Sequence, residues 1–131
     1  MKKIIIAFIF IATSLFSQQL HWVKELDDAY DLAEKEHKSV MVILSQKGCP
    51  ACKYMKGVVL KNTNVIKTFN KDFIGVHLDI HHDSVPLELE HFVTPTLYFL
   101  SADEEILHRI NGYKNDKEFL EALDTAKMLR D

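Results

Sequence analysis

Cys49 and Cys52 are the only two cysteines of the 131-residue chain, and they stand in Gln46-Lys47-Gly48-Cys49-Pro50-Ala51-Cys52-Lys53. A spacing of three puts both sulfurs on one face of a helix, one turn apart, where a disulfide closes with little backbone movement. Pro50 suits the first helical turn, because the N–H it lacks would have no helical partner there. Unpaired N–H groups and the positive end of the helix dipole then face Cys49 and favour a thiolate. Thiols so placed titrate at roughly 3.5–7.5 in place of about 8.5. Cys49 is thus the candidate attacking sulfur and Cys52, deeper in the helix, the resolving one. Gly48, Pro50 and Ala51 are the residues flanking that chemistry. A structural staple is the competing role, but a disulfide gains most from closing a long loop and this one closes almost none.

The elements that must position this pair follow from apolar spacing. Val40 to Leu44 is a continuous β-favouring run, apolar on both faces, which reads as a central strand of a covered sheet with the cysteines at its carboxyl end. Before it, Leu26, Ala29, Tyr30, Leu32 and Ala33 recur at helical spacing from about Lys24 to His37. Gln18 to Val23 either adds a strand or covers the core. After Pro50 a helix carries Met55, Val58, Val59 and Leu60 and is expected to bend or fray at Gly57. Asn64 is the expected cap of a short helix through Val65, Ile66 and Phe69. Phe73 to Ile80 is a second strand, 81–84 a polar loop, Val85 to Phe92 a short helix, and Thr96 to Leu100 a third strand turning through 101–105 into Ile106 to Ile110. Gly112 ends that hairpin, and Asn115 with Glu118 has capping-box spacing ahead of a terminal helix bearing Phe119, Leu120, Leu123, Ala126 and Met128. The order α-β-α-α-β-α-β-β-α predicts an α/β domain with a parallel-plus-antiparallel sheet covered by helices on both faces.

The composition, 47% hydrophobic with 3 Pro and 4 Gly, supplies one core. The first seventeen residues stand apart from it. Met1-Lys2-Lys3 is a basic head, Ile4 to Ala12 an apolar run and Thr13 to Ser17 a polar exit, which is the layout of a secretory signal peptide cut after Ser17; a retained anchor is the other reading, though the run is short of the roughly 20 residues needed to span. The expected division is therefore a removed signal peptide, 1–17, and one domain, 18–131. Lys2 and Lys3 leave with that peptide, which takes the formal charge from −3 to −5. Such an acidic chain points away from a nucleic-acid partner.

Cys49-Pro50-Ala51-Cys52 after an apolar strand, Thr94-Pro95-Thr96 opening a later one, and Gly112 before the last helix together resemble the thioredoxin superfamily, from about Leu20 to the C-terminus. Within it the chain is similar to exported bacterial thioredoxin-like proteins and to the periplasmic C-terminal domain of the membrane disulfide-interchange reductase, in Leu26-Asp27-Asp28-Ala29, Lys38-Ser39-Val40-Met41-Val42 and Ala51-Cys52-Lys53. The resemblance implies a thioredoxin-like fold, a cis Pro95 packed beside the cysteines, and a Thr94 backbone that pairs with the substrate chain. It also implies no cofactor beyond the redox-active Cys49–Cys52 disulfide. Two residues depart from the pattern: Ile43 stands where thioredoxins carry the buried acid that accepts the resolving thiol's proton, and Gly48 stands where they place tryptophan. The connection Leu89 to Val93 is also shorter than usual.

Seven histidines, among them His77, His81 and His82, raise the question of a metal, but their spacing matches no closed site and none is expected. Lys47 and Lys53 flank the motif, and Glu88 and Glu90 read as the wet face of a helix. The sequence thus predicts an exported, periplasmic thiol–disulfide oxidoreductase, a monomer, leaning to the reductive direction through its likeness to a reducing domain. The competing functions are a disulfide oxidant or isomerase, and a metal- or peptide-binding module with an inert pair. Expected partners are client proteins with thiols or disulfides and a membrane thiol-transfer protein that donates electrons, because the chain has no nucleotide-binding glycine motif of its own.

Overall fold

The structure, a computed structural model, describes residues 18–131; the expected signal peptide lies outside the described residues. The chain runs α1 Leu26–Glu36, β1 Ser39–Ser45, α2 Pro50–Gly57, a 3-10 turn Val59–Lys61, α3 Thr63–Asp72, β2 Phe73–Asp79, β3 Thr96–Leu100, β4 Ile106–Asn111 and α4 Asp116–Arg130. The four strands lie in the order β2-β1-β3-β4, with β1 parallel to β2 and antiparallel to β3, and β4 antiparallel to β3.

β1 is the keel because all seven of its residues are buried. Met41 and Ile43 face a core shared with Met55, Phe69, Phe99 and Phe119 of the helices and strands on one side. Val40, Val42 and Leu44 face the other side, where Ala29 and Ala33 of α1 close over Ile74, Val76 and Tyr98. A strand buried on both faces needs helices on both, and this is what the unbroken apolar run demanded. The mixed sheet and two-sided cover expected from the sequence are observed, without the helix expected between the second and third strands.

The lead-in neither forms a full strand nor lies free. Trp22 makes one parallel bridge to Gly75, with Val23 donating to the Gly75 carbonyl and Gly75 donating to that of His21. The indole covers Gly75 so closely that a Cβ there would meet Trp22 at 2.8 Å. Two expectations need correction. The cap of α3 is Asn62, not Asn64, since the Asn62 side chain accepts from the N–H groups of Asn64 and Val65 at 2.9 and 3.2 Å. The helix expected over Val85 to Phe92 is absent, and those residues form only turns. Val85, Leu87 and Leu89 alternate rather than follow a helical stripe, and Leu87 is 96% exposed while Leu89 is buried, so the segment has no apolar helical face to pack against the core. The carbonyls of Leu89, Glu90 and the following Val93 instead take side-chain donors, from His91 Nδ1, Tyr98 Oη and Thr96 Oγ1 respectively. The capping box of α4 forms as the spacing predicted, Asn115 and Glu118 each accepting from the other's backbone N–H.

Candidate active site

At the carboxyl end of β1 the backbone turns through Gln46, Lys47 and Gly48, and Gly48 takes φ +77°, a left-handed conformation that glycine adopts without a Cβ penalty. That turn delivers Cys49 to the N-cap of α2. Its Sγ accepts the backbone N–H of Cys52 at 3.1 Å, so a sulfur here does the work that a serine or aspartate oxygen does at other helix starts. Pro50 occupies the first helical turn, Ala51 is half-buried, and Cys52 is 2% exposed. The two cysteines are joined by a disulfide with Cα atoms 5.3 Å apart. The pair is therefore asymmetric: Cys49 faces outward beside exposed Gly48 and Pro50, and Cys52 is covered.

The opposite wall is the segment ahead of β3. The Thr94–Pro95 bond is cis, the isomer the resemblance implies, and Pro95 is buried. The Thr94 carbonyl oxygen lies 3.5 Å from Cys49 Sγ, and Thr94 Oγ1 donates to the same sulfur at 3.4 Å. Behind it Gln46 Nε2 donates to Thr94 Oγ1 at 3.0 Å, and Gln46 Oε1 meets His81 Nε2 at 2.9 Å. The structure thus brings Cys49, Cys52, Thr94 and Pro95 together, with Gly48, Pro50 and Ala51 lining the approach.

A depression of about 370 Å³ beside the disulfide is lined by Gln46, Lys47, Cys49, Cys52, Lys53 and Lys56, which gives the thiols a cationic surround. A larger cavity of about 610 Å³ lies on the far side of Lys56, against Trp22, Leu60 and Lys61. Neither cysteine lines it, so the thiol chemistry belongs to the smaller one.

His77, weighed in the sequence only as one of seven histidines for a metal, lies instead beside the thiol site. It pairs in register with Ile43, the position where the acid of the resembling family is missing. Its Nε2 is hydrogen-bonded to Ser45 Oγ and lies 3.3 Å from Lys56 Nζ, one helical turn beyond Cys52. Burial, and then the Lys56 ammonium, hold its pKa below the ordinary imidazole range, so the neutral ring is favoured. Only strand register links it to the motif, and register is invisible in a one-dimensional reading. Nearby, the His81 N–H bonded to the Asp79 carboxylate at 2.8 Å keeps that carboxyl below its usual range. Among the described residues no three His, Cys, Asp or Glu side chains gather as a metal site.

Comparison with known proteins agrees with this geometry. Residues 26–127 match the family described as thioredoxin-like domain. No protein of curated function matches the chain by sequence. Among solved structures, a thioredoxin from Thermus thermophilus superposes with a TM-score of 0.69 at 25% identity, over 83% of this chain and 88% of that one. A putative disulphide-isomerase from Bacteroides thetaiotaomicron gives 0.69 at 25% identity, over 82% and 91%. The oxidised DsbD C-terminal domain of Neisseria meningitidis gives 0.63 at 22% identity, over 77% and 92%, a likeness of fold. With the matched residues running from the first helical turn to near the end of α4, and the cysteine pair at the mouth of the sheet, the chain belongs to the thioredoxin-like domain family.

Proposed function

We propose that this thiol–disulfide oxidoreductase works outside the cytoplasm as a reductase of protein disulfides. The observation that carries the reading is the asymmetry of the pair, an accessible Cys49 whose sulfur accepts two hydrogen bonds and a buried Cys52 bonded to it. In the reduced protein the Cys49 thiolate attacks one sulfur of a client disulfide and expels the other as a thiolate. Cys52, once deprotonated, attacks Cys49 Sγ in the mixed disulfide, releasing the second client thiolate and closing Cys49–Cys52. Two electrons pass to the client, and no cofactor beyond the cysteines is needed.

The direction is supported by the likeness to a reducing domain and by a Pro-Ala dipeptide with no histidine between the cysteines. Export rests on the leader-like 1–17, whose removal gives a mature domain of 18–131 that acts as a monomer. Electrons then enter from a membrane thiol-transfer protein, and clients are exported proteins whose thiols must stay reduced. Insulin reduction by the mature protein tests the reading, compared with Cys49→Ser and Cys52→Ser. Wild type is expected to reduce insulin and both variants to fail in turnover. Equal rates for all three would instead favour a binding module with an inert pair.

A further inference from the structure

Gln46 and His81 take no part in the exchange steps above, yet both are wired to the attacking sulfur. We propose that they form, with Thr94, a hydrogen-bond relay that stabilises the Cys49 thiolate, and so set the reactivity of Cys49 and the reduction potential of the pair. The inference rests on the reading of Cys49 as the attacking thiolate and assigns the two residues positioning roles.

The direction of the relay is fixed by what each atom is able to do. An amide nitrogen only donates, so Thr94 Oγ1 accepts from Gln46 Nε2 at 3.0 Å, and its single proton is left for Cys49 Sγ at 3.4 Å. An amide oxygen only accepts, so Gln46 Oε1 takes the proton of His81 Nε2 at 2.9 Å. Every donor therefore points toward the sulfur. Serial bonds with one direction polarise each other, by perhaps 10–30% per bond, and the effect is greatest when the final acceptor is charged. A thiolate at Cys49 is that acceptor, and the Cys52 N–H at 3.1 Å supplies the other bond.

The far end is built to hold the relay. His81 follows β2 in a turn whose backbone is pinned at both sides: Asp79 Oδ1 accepts the His81 N–H at 2.8 Å, the Asp79 carbonyl accepts from Asp83 N–H at 2.9 Å, and the Asp83 carboxylate accepts the Asp79 N–H at 2.6 Å. That turn presents the imidazole to Gln46, which itself sits half-buried between the turn and Thr94. Three separate segments, the end of β1, the turn after β2 and the approach to β3, thus converge on one sulfur. The other charged groups around Cys49 are Lys47, Lys53 and Lys56, which favour the thiolate independently of the relay.

The test is the apparent pKa of Cys49 in the reduced protein, read from the pH dependence of its alkylation, together with the equilibrium against glutathione. Gln46→Glu keeps the volume but replaces a donor with a charged acceptor, turning the Thr94 proton away from sulfur. It is expected to raise the pKa by about one unit, a tenfold loss of thiolate below that pKa, and to shift the glutathione equilibrium toward the Cys49–Cys52 disulfide. Gln46→Ala is expected to act in the same direction more weakly, and His81→Ala, at an exposed turn position that folding tolerates, by about two- to threefold. Gln46→Ala added to Thr94→Val should change nothing further, since the relay then has no terminus. Unchanged pKa and glutathione equilibrium in both Gln46→Glu and His81→Ala, or additive effects of Gln46→Ala and Thr94→Val, would overturn the relay. Shifts of the expected size in a protein whose wild type fails to reduce insulin would support the relay while refuting the reductase direction.

Discussion

The two walls of the disulfide site are made in different ways. The Cys49 wall is a buried strand running into a helix, where each residue does what its neighbours in sequence dictate: an apolar run, a glycine with positive φ, a proline at the first turn and a sulfur as cap. The Thr94 wall has no regular structure between Asp79 and Thr96 beyond turns, and side chains from elsewhere hold it. Tyr98 and Thr96 of β3 donate to the carbonyls of Glu90 and Val93, Gln46 of the opposite wall holds Thr94, and of residues 80–94 only Leu89 is buried. The first wall is thus local and rigid, and it holds the chemistry. The second is assembled at long range and leaves Phe92 and Val93 exposed. The contrast is between a wall set by local sequence, which carries the nucleophile, and one set by tertiary contacts, which carries the cis proline.

The largest effect comes from breaking the first wall at its reactive atom. Cys49→Ser is expected to lose all catalysed reduction, whereas Cys52→Ser accumulates mixed disulfides with clients, visible as gel-shifted adducts that a reductant dissolves. Adducts on Cys49→Ser alone would reverse the assignment of attacking and resolving sulfurs.

Next in size is the anchor of the second wall. Leu89→Ala removes a buried side chain and should cost about 2–5 kcal/mol in denaturant unfolding, or show as local opening of 85–93 in hydrogen exchange if the segment detaches alone. Reduction of protein clients should slow more than reduction of a small disulfide. Equal slowing of the two would mean that the segment does not touch clients. Tyr98→Phe deletes one donor from the same wall and leaves the Glu90 carbonyl to solvent, for an expected loss of about 1 kcal/mol, checked by thermal or denaturant melts.

The contrast between the walls also explains what was legible in the sequence. The Cys49 wall was readable because helical spacing, strand apolarity and the first-turn proline are local signals. The cysteines, the strands around them and the capping box of α4 follow from such signals. The segment 85–93 departs from the expected helix because its apolar residues alternate, and the side chains that take its carbonyls, Tyr98 and Thr96, reach it only through tertiary approach. Asn62 and Asn64 compete for one helix start, and only the position of the first unpaired N–H groups decides between them. Thr94 and Pro95 came from a family resemblance, and nothing local marks them. Gln46, His77 and His81 needed strand register and a folded turn to reach the site.

The smallest expected effect concerns His77, at the seam between β1 and α2. Its folded pKa is lowered, so below the ordinary value of about 6.5 the unfolded chain binds a proton that the native one resists. Stability is then full above about 6.5 and declines as pH falls through the folded pKa. The wild type should therefore lose more melting temperature than His77→Gln on going from about pH 7 to about pH 5, by a modest amount because His77 is exposed to solvent. Parallel melting curves for the two proteins would contradict the shift.

The central claim, that the Cys49–Cys52 pair is redox-active and runs as a reductase, is tested most directly by equilibrating the mature protein in glutathione buffers and counting alkylated cysteines by mass spectrometry. The account predicts a single two-electron transition of that pair at about −200 mV or below, and a transition near −120 mV, the range of a strong oxidant, would contradict it.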